Sequence, residues 1–393
     1  MPVPTILQII PALHSGGAEK TAIDIALAIR DEGWRALVAS SGGGLVNALD
    51  EAGIDHIDLP LGAKNPLAIW ANARALTELI ARENIDIVHA RSRAPAWAGW
   101  FATRRTSARF VTTYHGAYKQ AGWRDGGPLK EAYNSVMAKG ERVIGNSNWT
   151  AELVRQRHPD AAGRIIAIPR GTDFEEFAPG AVSKARLDSL ARHWSVESGD
   201  VIALHLARIT PLKDQTSVVA ALSLLAERHP RLKVVLAGAA TGHDDYLARL
   251  HADIAQAGLE KRVIIPGHCD DPAAAISLAD IILSASRQPE TFGRVAVEAG
   301  ACEKPVIVTD IGAVGETVLT PPAVREEERT GWKVPPEDPE ALAETLDLVL
   351  NLDATERAAL GVRARNYVTA RFSTKRMCEE TLAVYRDLMA TTT

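Results

Sequence analysis

Short apolar segments rich in β-branched residues alternate with longer amphipathic segments along almost the whole chain of 393 residues. The first apolar segment lies at 5–10, and the helical pattern that follows it spans 18–31. Buried strands that alternate with helices at this spacing are typical of parallel sheets covered by helices on both faces. The pattern therefore predicts an α/β protein built on doubly wound sheets.

The strand pattern stops once and then restarts. The polar stretch 174–200, with Pro179, Gly180 and many charges, separates two series of strands and is predicted to be the junction. Since a single core rarely grows beyond about 250–300 residues, we expect two Rossmann-like domains in series. The predicted strands are 5–10, 36–40, 54–59, 85–89, 109–114, 142–146 and 164–169, then 201–207, 232–238, 262–266, 280–284 and 305–309.

Composition excludes several classes of protein. The chain is 46% hydrophobic and 24% charged, and its net charge of -5 gives no general nucleic-acid signal. No apolar run approaches the roughly 20 residues of a spanning helix, and 1–5 show no signal-peptide pattern. Cys269, Cys302 and Cys378 are odd in number and form no C-x-x-C pair, which indicates neither a disulfide framework nor zinc. We therefore expect a cytoplasmic protein.

The stretch from Ser284 to Val308 holds the most informative acids. A polar loop follows a strand there, Phe292 and Gly293 open a helix, and ligands of parallel sheets bind beyond such strand ends. Glu290 lies in the loop, whereas Glu298 is displaced about 7 Å along the helix from Gly293. The two are therefore interpreted as separate holders of hydroxyl groups, not as a hydrolase acid/base pair. The alternative is a loop charge and a helix surface charge.

Two further loops carry groups suited to phosphate. Arg208 and Lys213 follow the strand 201–207 and together suit a diphosphate, although two unrelated surface cations are the alternative. The pair Gly16-Gly17 lets backbone approach an anion at a helix start, although a tight turn without a ligand is equally open. In the stretch around Glu290, the backbone amides of Phe292, Gly293 and Arg294 are expected to face phosphate.

Five motifs together resemble those of family-4 retaining glycosyltransferases of GT-B fold, in the right order over nearly the whole chain. The most specific part of the resemblance is the segment 290–298, with the sequence E-T-F-G-R-V-A-V-E. The motifs are Glu290-x7-Glu298, Arg208-x4-Lys213, Gly16-Gly17 before Ala18-Glu19, Thr113-Tyr114-His115-Gly116 and Ile168-Pro169-Arg170-Gly171-Thr172-Asp173.

The resemblance implies two domains facing a cleft, with a C-terminal helix that crosses back to the first. The acceptor domain would be 1–175 plus 374–393, and the nucleotide-sugar domain 176–373. The resemblance also implies a hexose transfer that retains the anomeric configuration. Because no D-x-D motif lies at a strand end, we expect the transfer to need no cofactor and to be independent of metal.

The resemblance assigns a role to each site residue. Glu298 would hold the ribose, Glu290 the donor sugar, Arg208 and Lys213 the diphosphate, and His115 would lie near the reacting sugar. The catalytic set is His115, Glu290, Arg208 and Lys213. The donor-binding set is Gly16, Gly17, Arg208, Lys213, Glu290, Phe292, Gly293, Arg294 and Glu298.

One position departs from the family pattern. The family often has Asn-Gly after the proline that ends the strand at 164–169, and this chain has Arg170-Gly171. Gly171 still permits a turn. Arg170 could add charge at the cleft or point to solvent, and the sequence does not choose.

The Arg91–Lys130 region of the first domain is basic and aromatic. Only Asp125 opposes its eight cations, so the region suggests an anionic acceptor, or a membrane surface that carries one. The acceptor is then expected to be a glycan or glycolipid, such as lipopolysaccharide core, and the protein to be cytoplasmic or peripheral on the inner face of the membrane. The alternative is core aromatics with scattered cations. The aromatics are Trp97, Trp100, Phe101, Tyr118 and Trp123.

Other activities and the donor's identity stay open at this point. A nucleotide-sugar epimerase shares the architecture but would convert the donor without an acceptor, and a non-catalytic protein would bind donor without transfer. GDP-mannose and several UDP-hexoses are all compatible with the sequence. Nucleic-acid binding is not expected, because the basic region is local and no reader motif occurs.

Overall fold

The computed structural model describes residues 3–14, 16–117 and 127–390. The chain divides into two compact units, the first formed by Met1–Gly171 with Thr374–Thr393 and the second by Thr172–Ser373. Each unit is built on one parallel sheet. The predicted α/β class with two Rossmann-like domains is therefore confirmed.

The sheet of the first unit has seven strands in the order β3-β2-β1-β4-β5-β6-β7. Its strands are β1 Thr5–Ile9, β2 Arg35–Ser40, β3 Asp55–Asp58, β4 Ile87–Ala90, β5 Arg109–Tyr114, β6 Arg142–Gly145 and β7 Ile165–Ala167. Its helices are α1 Gly17–Asp31, α2 Val46–Glu51, α3 Pro66–Glu83, α4 Arg93–Thr103, α5 Gly127–Ser135, α6 Asn148–Arg157 and α15 Thr374–Ala390.

The sheet of the second unit has six strands in the order β10-β9-β8-β11-β12-β13. Its strands are β8 Val201–Leu206, β9 Leu232–Ala237, β10 Val263–Gly267, β11 Ile281–Ser284, β12 Val306–Thr309 and β13 Trp332–Val334. Its helices are α7 Lys184–His193, α8 Gln215–Leu225, α9 Asp244–Gln256, α10 Pro272–Leu278, α11 Arg294–Ala301, α12 Val314–Thr317, α13 Pro339–Leu350 and α14 Ala354–Thr369.

Strand order reverses at the centre of each sheet, between β1 and β4 and between β8 and β11. In open parallel sheets this is the place where ligands bind, beyond the carboxyl ends of the strands. Because β8 and β11 are paired directly, with Leu283 opposite His205, the loops that leave them emerge side by side. The second unit therefore brings the predicted loops 207–214 and 285–293 to one edge.

The C-terminal helix α15 belongs to the first unit, as the predicted fold requires. Its Tyr385 side chain is fully buried, and its hydroxyl accepts a hydrogen bond from Nε2 of Gln8 at 2.9 Å. The same hydroxyl lies 2.6 Å from Nδ1 of His89 in β4. A buried polar group costs stability unless it is paired, so this network fixes α15 against β1 and β4.

Two sequence expectations were wrong. The stretch 174–200 is not a junction, because it lies within the second unit, contains α7, and buries Phe177 and Trp194 in the core of that unit. The strand β13 was missed because it has only three residues, one of which is Lys333. Among the residues that the structure describes, no helix has the length and apolar character to span a membrane.

Candidate active site

A lysine, a serine and a glutamate meet where β8 and β11 end. Lys213 closes a short turn after β8, and its ammonium forms an ion pair with the carboxylate of Glu290. Lys213 also donates to Oγ of Ser286 at 3.3 Å, and that hydroxyl donates to Glu290 at 2.5 Å. Burial raises the pKa of the Glu290 carboxyl, but the Lys213 cation and the Ser286 hydroxyl outweigh burial and hold the pKa below its usual range. The ionised carboxylate is suited to accept hydrogen bonds from sugar hydroxyls.

The backbone of Glu290 is held by the loop that follows β12. The amide of Ala313 donates to the Glu290 carbonyl at 2.7 Å, and Gly312 forms an isolated parallel bridge with Glu290. Gly312 has φ of +82°, and a Cβ there would lie 2.4 Å from the Glu290 carbonyl oxygen. Only glycine allows this approach, so Gly312 positions the Glu290 loop.

Glu298 is a buried residue of α11, not a helix surface charge. It is 3% exposed, and its carboxylate accepts from Nε of Arg294, one turn earlier, at 2.6 Å. The helix begins at Arg294, and Gly293 before it has the left-handed φ of +83°. A carboxylate held in a buried position on the first turns of such a helix can accept hydrogen bonds from a hydroxyl group of a ligand.

Phe292 and Arg208 differ from the rest of the predicted set. The Phe292 ring is buried and packs edge-on against Phe372, with ring centroids 5.3 Å apart, so the side chain belongs to the core. Arg208 is exposed, and within the described residues its side chain makes no hydrogen bond or ion pair. Its carbonyl accepts from Nε2 of Gln215 at 3.0 Å. Arg208 therefore shares the edge with Lys213 but not the Lys213–Glu290 cluster.

The sequence analysis did not identify two further residues at this edge. Asp214 is 1% exposed, caps α8, and accepts from Nε of Arg287 at 2.9 Å. Its signal was the Asp-Gln-Thr-Ser run, in which hydroxyls follow a capping acid. His205 in β8 is 1% exposed, and burial, with the nearby Lys213 cation, lowers its pKa to about 4. The apolar strand around His205 gave no signal.

The first unit contains the remaining predicted site residues. His115 follows β5, and Nη2 of Arg170 donates to its Nδ1 at 2.8 Å. Burial, followed by the charges of Arg170 and Arg91, holds the pKa of His115 well below its usual range, so the ring is neutral. Arg170 therefore does not simply point to solvent, because its guanidinium is hydrogen-bonded to His115.

The glycine pair begins α1, as expected. Gly16 is the residue before the helix, and Gly17 is its first residue, whose carbonyl accepts from Oγ1 of Thr21 at 2.9 Å. The carboxylate of Glu19 folds over Gly16, because a Cβ there would lie 2.0 Å from Oε2. Gly16, Gly17 and His115 thus lie in the first unit, and the other predicted site residues lie in the second.

The Arg91–Lys130 region is only partly a surface, and residues 118–126 of it lie outside the described part. Arg91 is buried, and Arg109 pairs with Glu141 at 2.7 Å, so neither is a free surface cation. The ring centroid of Trp100 lies 5.1 Å from Cζ of Arg104 and 4.7 Å from Nζ of Lys139. The described part of the region therefore combines buried and paired cations with a smaller aromatic–cation cluster around Trp100. Across 3–14, 16–117 and 127–390, no group of three or more His, Cys, Asp or Glu could hold a metal ion.

Family models match both units. The model for "Glycosyltransferase Family 4" matches residues 15–176, and the model for "Glycosyl transferases group 1" matches residues 189–367. The second match covers every predicted site residue of the second unit, and the first match covers Gly16, Gly17 and His115. Together the two matches follow the chain from α1 to α14.

Named relatives and solved structures agree with these matches. The chain is similar to a D-inositol 3-phosphate glycosyltransferase of Kineococcus radiotolerans, 30% identical over 331 residues that cover 78% of this chain and 72% of the relative. It is similar to the crystal structure of a glycosyltransferase from Rickettsia africae, with 34% identity, a TM-score of 0.87 and 99% of each chain covered. The fold also matches Anabaena HepE in complex with UDP-glucose, with 24% identity, a TM-score of 0.79, and 97% and 99% of the two chains covered.

Proposed function

The chain belongs to the group 1 glycosyl transferases and is a glycosyltransferase, and from this premise we propose that it moves a hexose from a nucleotide-diphosphate sugar to a glycan acceptor. The observation that carries the proposal is the Lys213–Ser286–Glu290 cluster at the edge where β8 and β11 end. It places a cation suited to phosphate against an ionised carboxylate suited to sugar hydroxyls. Glu298, buried on the helix that follows, is suited to a ribose.

The proposed mechanism follows from where charge develops. When the glycosidic bond of the donor breaks, negative charge grows on the diphosphate that leaves. Lys213 and Arg208, with the backbone amides at the start of α11, would stabilise that charge without a metal ion. We propose front-face attack with retention of configuration, in which the leaving phosphate accepts the acceptor's proton. Glu290 would hold the sugar during the transfer.

His115 is proposed to act on the transferred sugar as a hydrogen-bond donor. Its Nδ1 accepts from Arg170, so the proton of the neutral ring is on Nε2. A neutral N–H can hold a sugar hydroxyl and stabilise charge, but it cannot take a proton at that atom. The proton of the acceptor hydroxyl would therefore go to a group other than His115, in keeping with the proposed role of the leaving phosphate as proton acceptor.

The proposed substrates are a nucleotide-sugar donor and an anionic acceptor. The donor is GDP-mannose or a UDP-hexose, and HepE, of the same fold, is crystallised with UDP-glucose. The acceptor is an anionic envelope glycan or glycolipid such as lipopolysaccharide core, supported by the aromatic–cation cluster at Trp100 and by the relative named for D-inositol 3-phosphate. That cluster would place the protein at the inner face of the cytoplasmic membrane.

A donor panel with and without acceptor tests the proposal. The full chain is incubated with UDP-glucose, UDP-galactose, UDP-N-acetylglucosamine and GDP-mannose, each with and without a deacylated lipopolysaccharide core, and nucleotide release is followed. We expect one donor to be consumed faster with acceptor, and the new linkage to keep the donor's anomeric configuration by NMR. Conversion of a donor to its epimer without acceptor would contradict the proposal, as would equal turnover by wild type and Lys213→Ala.

A further inference from the structure

A small cavity in the first unit is lined by two guanidinium groups and by no carboxylate. The space open to a water-sized sphere is about 20 Å³, and its walls come from α1, β4 to β7 and α15. Arg91 follows β4, Arg170 follows β7, and His115 and Asn146 follow the strands between them. No acidic side chain lines this space among the residues that the structure describes.

Arg91 is the unusual member of the cavity wall. It is 4% exposed, and its Nε donates to Oε1 of Gln8 at 2.9 Å. Its Nη2 is buried and has no hydrogen-bond partner within the described residues. A buried N–H of a charged group that lacks an acceptor is unfavourable, and an acceptor in the cavity would remove that penalty.

The surrounding network holds Arg91 in place. Gln8, which accepts from Arg91, donates to the hydroxyl of Tyr385 at 2.9 Å. That hydroxyl contacts Nδ1 of His89 at 2.6 Å, and the other ring nitrogen lies 2.7 Å from Oγ1 of Thr113. Because every member is buried and linked to the next, the guanidinium has a fixed orientation and cannot turn to solvent. A fixed donor with a missing acceptor is the pattern of a preorganised binding site.

The charges near the cavity favour an anion. Arg91 and Arg170 each contribute a positive charge, whereas His115 and His89 are neutral because burial and the nearby guanidinium charges hold their pKa values well below the usual range. Burial lowers the pKa of Arg91, and the charge of Asp24 on α1 opposes that effect without Asp24 lining the cavity. A net positive charge therefore faces the space.

We propose that this cavity binds one oxyanion, a carboxylate or phosphate of the acceptor, between Arg91 and Arg170. A space of this size holds roughly one or two oxygen atoms and no sugar ring, so the ligand inserts only the leading oxygen atoms of its charged group. Arg170 and His115 are half-buried and mark the side from which the group enters. The guanidinium fork matches carboxylate and phosphate geometry, and Asn146 adds a side-chain amide. That the oxyanion comes from the acceptor rests on the proposed function, whereas the binding site itself does not.

A local probe of His115 tests the site without any transfer assay. The full chain is labelled with ¹⁵N-histidine, and the His115 signal, assigned through His115→Gln, is followed while inorganic phosphate, acetate or chloride is added at constant ionic strength. We expect a saturable shift with phosphate or acetate and none with chloride. The oxyanion with the lower apparent Kd indicates whether the acceptor presents a phosphate or a carboxylate.

Substitutions at the two cavity arginines, with a control cation, show whether the observed binding occurs in the cavity. Arg91→Gln and Arg170→Gln are expected to weaken the apparent Kd at least about 10-fold, and Arg74→Gln, at an exposed cation on α3 of the same unit, to leave it unchanged. If Arg91→Gln does not fold, Arg91→Lys retains the charge and loses the fork. The proposal is overturned if wild type shows no saturable shift with either oxyanion, or if the folded variants bind as wild type does. Failure of sugar transfer, by contrast, would leave this measurement unaffected.

Discussion

Arg170 donates a hydrogen bond from Nη2 to Nδ1 of His115 across 2.8 Å. A guanidinium has only donors, so Nδ1 must accept, and the proton of the neutral ring is on Nε2. Burial, together with the positive charges of Arg170 and Arg91, holds the pKa of His115 well below its usual range. His115 is thereby fixed as a neutral hydrogen-bond donor.

Replacement of His115 by glutamine should preserve most of its role. The glutamine amide can supply an N–H near the position of Nε2, so we expect His115→Gln to reduce kcat by less than about 10-fold and His115→Phe by about 100-fold, with little change in donor Kd for either. Steady-state kinetics with the acceptor measure both. Equal losses in the two variants, or a kcat that rises through pH 6.5 in wild type but not in His115→Gln, would indicate a base instead of a donor.

Removal of the Glu298 carboxylate should weaken donor binding. Loss of a charged hydrogen bond to a ribose hydroxyl costs about 1.5–3 kcal/mol, so we expect the donor KM of Glu298→Ala to rise about 10- to 100-fold. The donor KM of Glu298→Gln, which retains the shape of the side chain, should lie between that of Glu298→Ala and that of wild type. Glu340→Ala, at an exposed site on α13, is the control. If the donor KM of Glu298→Ala equals that of wild type, the ribose assignment is wrong.

A methyl group at Gly312 should disturb Glu290. A Cβ at Gly312 would lie 2.4 Å from the Glu290 carbonyl oxygen at φ of +82°, whereas Gly242, with φ of +75°, has nothing within 4 Å of such a Cβ. Gly242→Ala therefore measures the backbone cost alone, on the order of 1–2 kcal/mol. We expect Gly312→Ala to lose about 1–3 kcal/mol more in the free energy of unfolding, and activity as well. Equal unfolding midpoints and activities would refute the role given to Gly312.

His205 should make the protein less stable as the pH is lowered. Burial, together with the Lys213 cation, lowers the pKa of His205 to about 4, so below its unfolded pKa of 6.5 the unfolded chain takes up the proton first. The stability that the neutral ring provides is present above pH 6.5 and is lost as the pH falls toward 4, by about 3 kcal/mol.

The substitution His205→Leu should therefore flatten the pH dependence of the free energy of unfolding between pH 6.5 and 4. Denaturant unfolding at several pH values measures this, and His251→Gln, at an exposed position of α9, is the control. An unchanged slope in His205→Leu would show that His205 does not titrate in this way.

The strands and central helices were predictable because each follows from local patterning. The strand β1 is buried throughout and mostly apolar, and the stretch around Glu290 was recognised because a strand, a polar loop and a helix follow one another there. The short strand β13 was missed because Trp332–Val334 offers too few residues for a pattern. Likewise, α7 was hidden by its polar surface, since none of its residues is buried.

The contacts that define the site could not be predicted, because they join residues distant in sequence. Arg170 and His115 are 55 positions apart, and Lys213 and Glu290 are 77 apart. Burial has the same non-local origin: the sequence left a helix surface charge open for Glu298, and the fold buries the residue to 3% exposure. The sequence contained the residue types, whereas only the fold determined which partner each one met.

The central claim is that a donor nucleotide is held in the second unit where β8 and β11 end, and calorimetric titration with UDP, GDP and ADP tests it most directly. We predict that one nucleotide binds wild type, and that Lys213→Ala and Arg208→Ala each weaken its Kd by about 10- to 100-fold, while Arg105→Ala leaves it unchanged. Binding of no nucleotide, or a Kd that is the same in wild type and both second-unit variants, would contradict the account.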